Sequence, residues 1–266
     1  MNLFAKMMSR LGGRSPNRGN DGLREPSAPE GTCVYAVGDV HGERKALDRM
    51  LAAIAADAER QRANGLESVV VFLGDYIDRG TDSCGVLDRL CRAPLAGVSC
   101  RFLLGNHEAA MLDFIGDPVR ASEWLNYGGA EALGSYGIRA SVGTSDPARC
   151  RALRDALMER LPDEHLAFLK ALEPMVVLGD YAFVHAGIRP GRPLARQRTD
   201  DLLTIREPFL SWPHPHEKTI VHGHTITRSP EVTAARIGID TGAYATGTLT
   251  ALALRGTARS FIQVTA

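Results

Sequence analysis

Several features that would narrow the function at once are missing from this sequence. Its five cysteines (Cys33, Cys84, Cys91, Cys100, Cys150) are odd in number and contain no C-x-x-C pair. That argues against a disulfide framework and against a structural zinc site read from spacing. Cys84 and Cys91, seven apart on an expected helix, are read as small apolar packing residues, and a reducing cytoplasm is the expected compartment. An excess of one charge is also missing: 31 basic residues face 31 acidic ones. No global field therefore directs the chain to nucleic acid or to an anionic membrane. No apolar run approaches a membrane span, and LFAKMM near the start is too short for a signal-peptide core. There is no internal repeat.

What is present suffices for one large domain or two small ones: 266 residues, 44% of them hydrophobic. From Met1 to Arg24 five basic residues (Lys6, Arg10, Arg14, Arg18, Arg24) stand against the single acid Asp21, among Gly, Ser, Asn and Pro. Residues 1–30 are accordingly expected to be a flexible basic tail and residues 31–266 a single domain. TCVYAV reads as a buried strand, followed by Leu47, Met50, Leu51 and Ile54 at helical spacing. SVVVFLG and VSCRFLLG are further strands, each with a helical stretch after it. Such alternation predicts parallel pairing in an α/β layer structure.

Residues 118–173 change character to helices broken by Gly and Pro and are expected to form a helical insertion over one face. Trp124, Leu125 and Tyr127 within it are read first as packing residues, with lining a cleft as the lesser option. His165, in a helix after Pro162, is expected to be exposed. The last third returns to strands, with a hairpin at Gly179-Asp180, and predicts a second mixed sheet packed on the first.

The chemistry gathers at strand ends. Strand one ends in GDVHG (38–42), strand two in GDYIDRG (74–80) and strand three in GNHE (105–108). Ligand sites of α/β folds lie where strands deliver their C-terminal ends. Asp39 and His41 are two apart, so an extended backbone would turn both to one side. Asp75 and Asn106 arrive from neighbouring strands, His185 (FVHAG) and His224 (HGHT) from later ones. Oxygen and imidazole donors without thiolate suit Mn, Fe or Zn. Six donors exceed what one catalytic ion needs, whereas two ions sharing a carboxylate would use them. Asp78 is then free to orient His107, a candidate general acid, and Arg79 offers a fork for phosphate. His222, two before His224, is read as a packing or supporting residue with ligation as the lesser option. Asp240 and Thr241 are left between capping a turn and supporting the metal shell. His214 and His216 alternate with prolines in an expected loop.

Taken in order, GDVHG, GDYIDRG, GNHE, HAG and GHT resemble the calcineurin-like metallophosphoesterases, and more narrowly the bacterial phosphoprotein phosphatases. The motifs span residues 38–225 and the strand pattern extends the likeness to about 32–264. The resemblance implies an α/β fold of two packed mixed β-sheets flanked by helices. It also implies a dinuclear site for two divalent ions, manganese first with iron and zinc as alternatives. Asp39, His41 and Asp75 would hold one ion, with Asp75 bridging to a second held by Asn106, His185 and His224. His107 supported by Asp78 would be the acid, and Arg79 and Arg206 (in LLTIREPFL) would clamp phosphate. Arg206 rests on the loosest match. The implied reaction is phosphomonoester hydrolysis by attack of a metal-bridging hydroxide, with no phosphoenzyme.

Three readings of the function follow. The first is a phosphoserine/phosphothreonine protein phosphatase. The second is hydrolysis of dinucleoside polyphosphates such as diadenosine tetraphosphate. The third is a non-catalytic module that binds phosphorylated partners. Relatives that cleave diadenosine tetraphosphate symmetrically typically carry alanine where Asp78 stands and GNHD in place of GNHE, which tilts the expectation to the first reading. Ala109 stands where eukaryotic relatives carry an arginine, which argues against eukaryotic-style substrate handling. The expected partner is a phosphorylated protein or a small phosphate ester, with no nucleic acid; oligomeric state is left open.

Overall fold

A computed structural model describes residues 25–265. The expected flexible tail lies, for residues 1–24, outside the described residues. Ahead of residue 31 the chain is already packed: Ala28 is buried and donates its N–H to Gly256 O at 2.9 Å, and the Pro26 carbonyl accepts from the Tyr181 hydroxyl at 3.0 Å.

Strands β1 (Thr32–Val37), β2 (Glu67–Phe72) and β3 (Ser99–Phe102) alternate with helices α1 (Arg44–Ala63), α2 (Ser83–Leu90) and α3 (Asn106–Gly116). β1 pairs parallel with β2, Val37 opposite Phe72, and β2 parallel with β3, as the alternation predicts. The apolar run of β1 has no polar face because both of its faces are covered. Cys33, Tyr35 and Val37 point into the cluster formed with Leu47, Met50, Leu51 and Ile54 of α1, while Val34 and Ala36 point into the other cluster, between the sheets.

The insertion contains a 3₁₀ turn (Ser122–Asn126) and helices α4 (Gly129–Ser135), α5 (Pro147–Arg160) and α6 (Asp163–Lys170). Trp124, Leu133, Leu153, Leu157 and Leu169 pack into the same cluster as α1, so the insertion extends the helical layer on that face. His165 corrects the expectation of exposure: it is fully buried, its ring held between the Tyr136 hydroxyl and Asp88.

Strands β4 (Val176–Leu178) and β5 (Tyr181–Phe183) form the hairpin turning at Gly179-Asp180. After α7 (Thr199–Thr204) come β6 (Thr219–His222), β7 (Glu231–Val232) and β8 (Arg236–Gly238), which complete a second mixed sheet in the order β4-β5-β6-β8-β7. Helix α8 (Ala243–Thr246) leads into β9 (Thr248–Arg255) and β10 (Ala258–Thr265). These last two strands return to the first sheet, which runs β10-β9-β1-β2-β3. The layers meet through Val34, Ala36, Val71 and Leu252 from the first sheet and Phe183, Val221 and Ile237 from the second. The result is the expected pair of packed mixed sheets flanked by helices. Among the described residues no helix is long and apolar enough to cross a membrane.

Candidate metal centre and phosphate site

The loops after β1, β2, β3, β5 and β6 converge at one edge of the sandwich, and their backbone is unusual there. Among the described residues six non-glycine residues have positive φ, and five of them are site candidates: His41 (46°), Asp75 (51°), Asp78 (73°), Arg79 (64°) and His224 (62°). L-residues adopt this region at a cost, and surrounding contacts must hold them in it. His41 therefore departs from the extended geometry expected for the Asp39-His41 pair. The two residues are placed instead by the next loop, whose Asp75 carbonyl accepts from Val40 N at 3.0 Å and His41 N at 2.9 Å.

Glycines make the close approach possible. Gly74 has φ +97°, and a Cβ on it would lie 2.7 Å from Gly105 N. A Cβ on Gly223 would lie 2.0 Å from Asp39 Oδ1. Glu108 fixes the arrangement. Its buried carboxylate accepts from Gly105 N (3.0 Å), Asp75 N (2.9 Å), Tyr76 N (2.7 Å) and Ile77 N (3.2 Å), tying the loop after β2 to the first turn of α3.

Asp75 stands at the centre. Its Oδ2 lies 3.5 Å from His41 Nε2 and 3.8 Å from His107 Nε2, and its Oδ1 lies 3.4 Å from His185 Nε2. Two groups of donor atoms, His41–Asp75–His107 and Asp75–His185–His224, each fall within 4.8 Å and share this one carboxylate. Asn106 Oδ1 joins the second group, 2.9 Å from His185 Nε2. Asp39 reaches the same region through Oδ2, which accepts from His224 N at 3.0 Å; its Oδ1 is buried without a hydrogen-bond partner.

The tautomers are arranged for ligation. Backbone carbonyls of Ile77 and Leu73 lie 2.9 Å from Nδ1 of His41 and His185; only an N–H can bond a carbonyl, so each Nε2 is turned to the cluster. Burial, with Arg79 and His107 nearby, pushes His41 down to about 4, and burial with His185 pushes His224 down to about 3. Both rings are neutral donors at physiological pH. At His185 burial also disfavours charge, yet Asp75 and Asp39 outweigh it and raise the ring to about 10. Asp39 is itself pushed well above the carboxylate range by burial and by Asp240. The pocket thus holds more carboxylate charge than its own cations balance, and two carboxylate oxygens, Asp39 Oδ1 and Asp78 Oδ1, have no partner. These donors fit divalent cations of the Mn, Fe or Zn type.

Beside the cluster, His107 Nδ1 donates to Asp78 Oδ2 at 2.6 Å, and the same oxygen accepts from Trp124 Nε1 at 2.8 Å. Asp78 N donates to Ser83 Oγ at 2.9 Å. Burial works against charge on His107, but Asp75 and Asp78 outweigh it and raise the imidazole; burial pushes Asp78 up to about 6 against the pull of His107 and Trp124. The 2.6 Å contact is consistent with one proton held between them, His107 the donor. Arg79 places Nη2 3.2 Å from His107 Nε2 and Nη1 2.9 Å from the Tyr244 hydroxyl, with its guanidinium over the Tyr244 ring. Arg206 is exposed and close enough for its charge to lower His224, and among the described residues its side chain makes no hydrogen bond or ion pair.

The structure therefore gathers Asp39, His41, Asp75, Asn106, His185, His224, His107, Asp78 and Arg79, with Arg206 at the rim. His222 lies apart, against Arg236 and the Phe209 ring, in a packing role. Asp240 is buried, accepts from Gly242 N at 2.8 Å and adds charge beside Asp39. Three contributions were missed in the sequence: the loop-fixing role of Glu108, weighed only for its bearing on substrate; that of Trp124, read as packing; and that of Tyr244, not singled out. Each acts on a residue more than thirty positions away, which no local pattern reveals.

Comparison with known proteins agrees with this geometry. The calcineurin-like phosphoesterase profile matches residues 34–241. A bis(5'-nucleosyl)-tetraphosphatase, symmetrical, from Acidovorax sp. (strain JS42) is 30% identical over 162 residues, covering 59% of this chain and 44% of its own length. A protein of the same description from Aromatoleum aromaticum (strain DSM 19018 / LMG 30748 / EbN1) is 27% identical over 170 residues, covering 62% of this chain and 50% of its own. The chain spans about half the length of the curated relatives it matches. A solved structure provisionally described as a diadenosine tetraphosphatase superposes with a TM-score of 0.62 at 22% identity, over 89% of this chain and 95% of that one, and shows the shared fold. With the profile covering most of its length and the donor set assembled at the strand ends, the chain belongs to the calcineurin-like phosphoesterase family of dinuclear metal-dependent hydrolases.

Proposed function

We propose that the chain is a metal-dependent phosphatase acting on phosphomonoesters of aliphatic alcohols, foremost phosphoserine and phosphothreonine in proteins. The observation that carries this reading is the 2.6 Å contact between Asp78 and His107. A serine or threonine alkoxide is a poor leaving group and needs a proton as the P–O bond breaks, whereas a nucleotide leaves as a stable phosphate anion and needs none. Asp78 keeps Nδ1 of His107 protonated and the ring oriented, so that Nε2 can deliver the proton.

In this reading Asp39, His41 and Asp75 hold one divalent ion, and Asp75, Asn106, His185 and His224 the other, with manganese first and iron or zinc as alternatives. When bound, such ions generate a nucleophile from water and stabilise charge on phosphoryl oxygens. Arg79 and Arg206 bind those oxygens; Arg79 is already held toward His107 by Tyr244, so clamp and acid face one spot. The low-lying His41 and His224 remain neutral ligands across the physiological range. A reducing cytoplasm suits the five free cysteines.

A second reading has its own support. The curated relatives carry the name of symmetrical tetraphosphatases, which favours a dinucleoside polyphosphate substrate and runs against the tilt drawn from Asp78 and Glu108. The test is turnover by the manganese-reconstituted chain on a phosphothreonine peptide and on diadenosine tetraphosphate, side by side, with Asp75→Asn as control. Preference for the peptide supports the first reading. Preference for the dinucleotide replaces it with the second. No turnover of either ester by metal-loaded protein would return the non-catalytic module to consideration.

A further inference from the structure

A second cluster of metal-binding side chains lies away from the strand ends, where the end of α2 meets the start of α6. Cys91 caps α2, and Glu164 and His165 stand in the first turn of α6. One donor atom from each of the three lies within 4.8 Å of the others. Asp88, one turn before Cys91, adds a fourth: its Oδ1 is 3.2 Å from His165 Nε2. His165 is fully buried, while Glu164 and Asp88 reach solvent, so the site has a rigid inner wall and an open mouth.

We infer that Cys91, His165, Glu164 and Asp88 form a binding site for a borderline-soft divalent cation of the zinc class. Sulfur, imidazole and carboxylate are the donors such an ion takes, and its bonds of about 2.0–2.3 Å set tetrahedral ligands roughly 3.3–3.8 Å apart. The observed spacing closes to that with a shift of about an ångström in side chains that end helices. His165 has a partner on each ring nitrogen: Nε2 faces the Asp88 carboxylate at 3.2 Å and Nδ1 the Tyr136 hydroxyl at 2.9 Å. Because that hydroxyl can donate or accept, an ion at Nε2 would be met by the Nδ1–H tautomer with Tyr136 accepting. Positive charge already favours the spot, since the Arg92 guanidinium pairs with Glu164 and lies 3.7 Å from Asp88. Arg92 is mostly exposed and can swing out when an ion arrives.

Burial and Glu164 hold the Cys91 thiol above its ordinary range, so the free thiol is protonated. On binding, the S–H bond breaks, its proton passes to solvent and the sulfur–metal bond forms with no change in oxidation state. The spacing argument misses this site because its donors come in pairs from helices more than seventy residues apart. Its consequence would be structural: an ion here fastens the insertion to the α/β body and adds a third equivalent to the two of the catalytic family.

Cobalt(II) tests the site on the full-length, reduced, metal-stripped chain. The centre around Asp75 offers only oxygen and nitrogen, so cobalt there gives no sulfur-to-cobalt charge-transfer absorption in the near ultraviolet. Cobalt bound to Cys91 does. The expected result is such a band in the wild type, lost in Cys91→Ala, with Glu164→Gln weakening cobalt affinity at least about tenfold, the loss typical even of an outer-shell partner. Cys91 is half-buried and Glu164 exposed, so both variants are expected to fold; circular dichroism checks this. Absence of the band, its survival in Cys91→Ala, or indifference to Glu164→Gln would each overturn the site.

Discussion

Strand β1 carries a buried carboxylate cluster near each end, and the two are built on opposite principles. Toward its start, Tyr35 donates to Asp57 Oδ2 at 2.5 Å, and the same oxygen accepts from Arg255 at 2.6 Å. Arg60 and Gln61 supply Oδ1, at 2.9 Å and 3.3 Å. Every oxygen of that carboxylate is partnered, and no residue of the cluster has a positive φ. Past its other end, Asp39 keeps an oxygen without a partner, three aspartates crowd together, and the backbone is bent into left-handed conformations. A buried carboxylate with both oxygens partnered stabilises; a crowded group of carboxylates with oxygens left unpartnered persists only where something else supports it. The first cluster fastens α1 to the sheet, and the second is prepared for cations.

Substitutions should separate the two. Asp75→Asn is expected to reduce turnover most, by about 10⁴-fold, since it weakens both proposed ion sites at once, each ion being worth several kcal/mol. Its circular dichroism should match wild type, and a melted fold would mean the site also carries the structure. A chelator should act similarly and reversibly, with activity restored by manganese; activity that withstands exhaustive chelation would sink the metal assignment.

His107→Asn should cost on the order of 10²-fold on an alkyl phosphate and much less on nitrophenyl phosphate, whose leaving group hardly needs a proton. Equal losses on the two would remove the acid role. In the other cluster, Asp57→Asn should leave kcat of the folded protein unchanged while lowering stability by about 2 kcal/mol, read from denaturant unfolding. Burial alone would raise Asp57, but its bonds from Tyr35 and Arg255 bring it down from 3.8 to about 2. A folded value below the unfolded one means stability that is complete above about pH 4 and lost as pH falls through about 2. The gap in melting temperature between wild type and Asp57→Asn should narrow over that window, and a constant gap would exclude the ionised carboxylate as its source. Smallest of all, Trp124→Phe, which removes one bond to Asp78, should slow alkyl phosphate turnover by about tenfold or less. It should shift the acidic or basic limb of the rate profile, which a pure packing role would leave in place.

The same contrast explains what could be read in advance. Metal and acid candidates were legible because their chemistry tolerates few residue types and the strands deliver them in a fixed order. The parallel core was legible from β1 and β2, whose apolar runs leave little else to form. The return of β9 and β10 to the first sheet was not, because a strand buried on both faces looks alike in either sheet. The Asp39-His41 pair was expected at the strand end where the structure places it but was given the wrong backbone, since the left-handed turn at His41 is held by the carbonyl of Asp75, thirty-four positions on. His165 was judged exposed from its place on a helix; its burial depends on Tyr136, from another helix of the insertion.

Glu108 has a bearing on the life of the molecule between turnovers. One carboxylate anchors the loop after β2 to α3 through three of its main-chain N–H groups and caps the helix through a fourth, that of Gly105, so contacts within the protein help to shape the ligand loops. Loops held in this way reduce the ordering that an arriving ion would have to impose. The reversible chelation predicted above is the behaviour such preshaped loops would give: loss of the cation without loss of the fold.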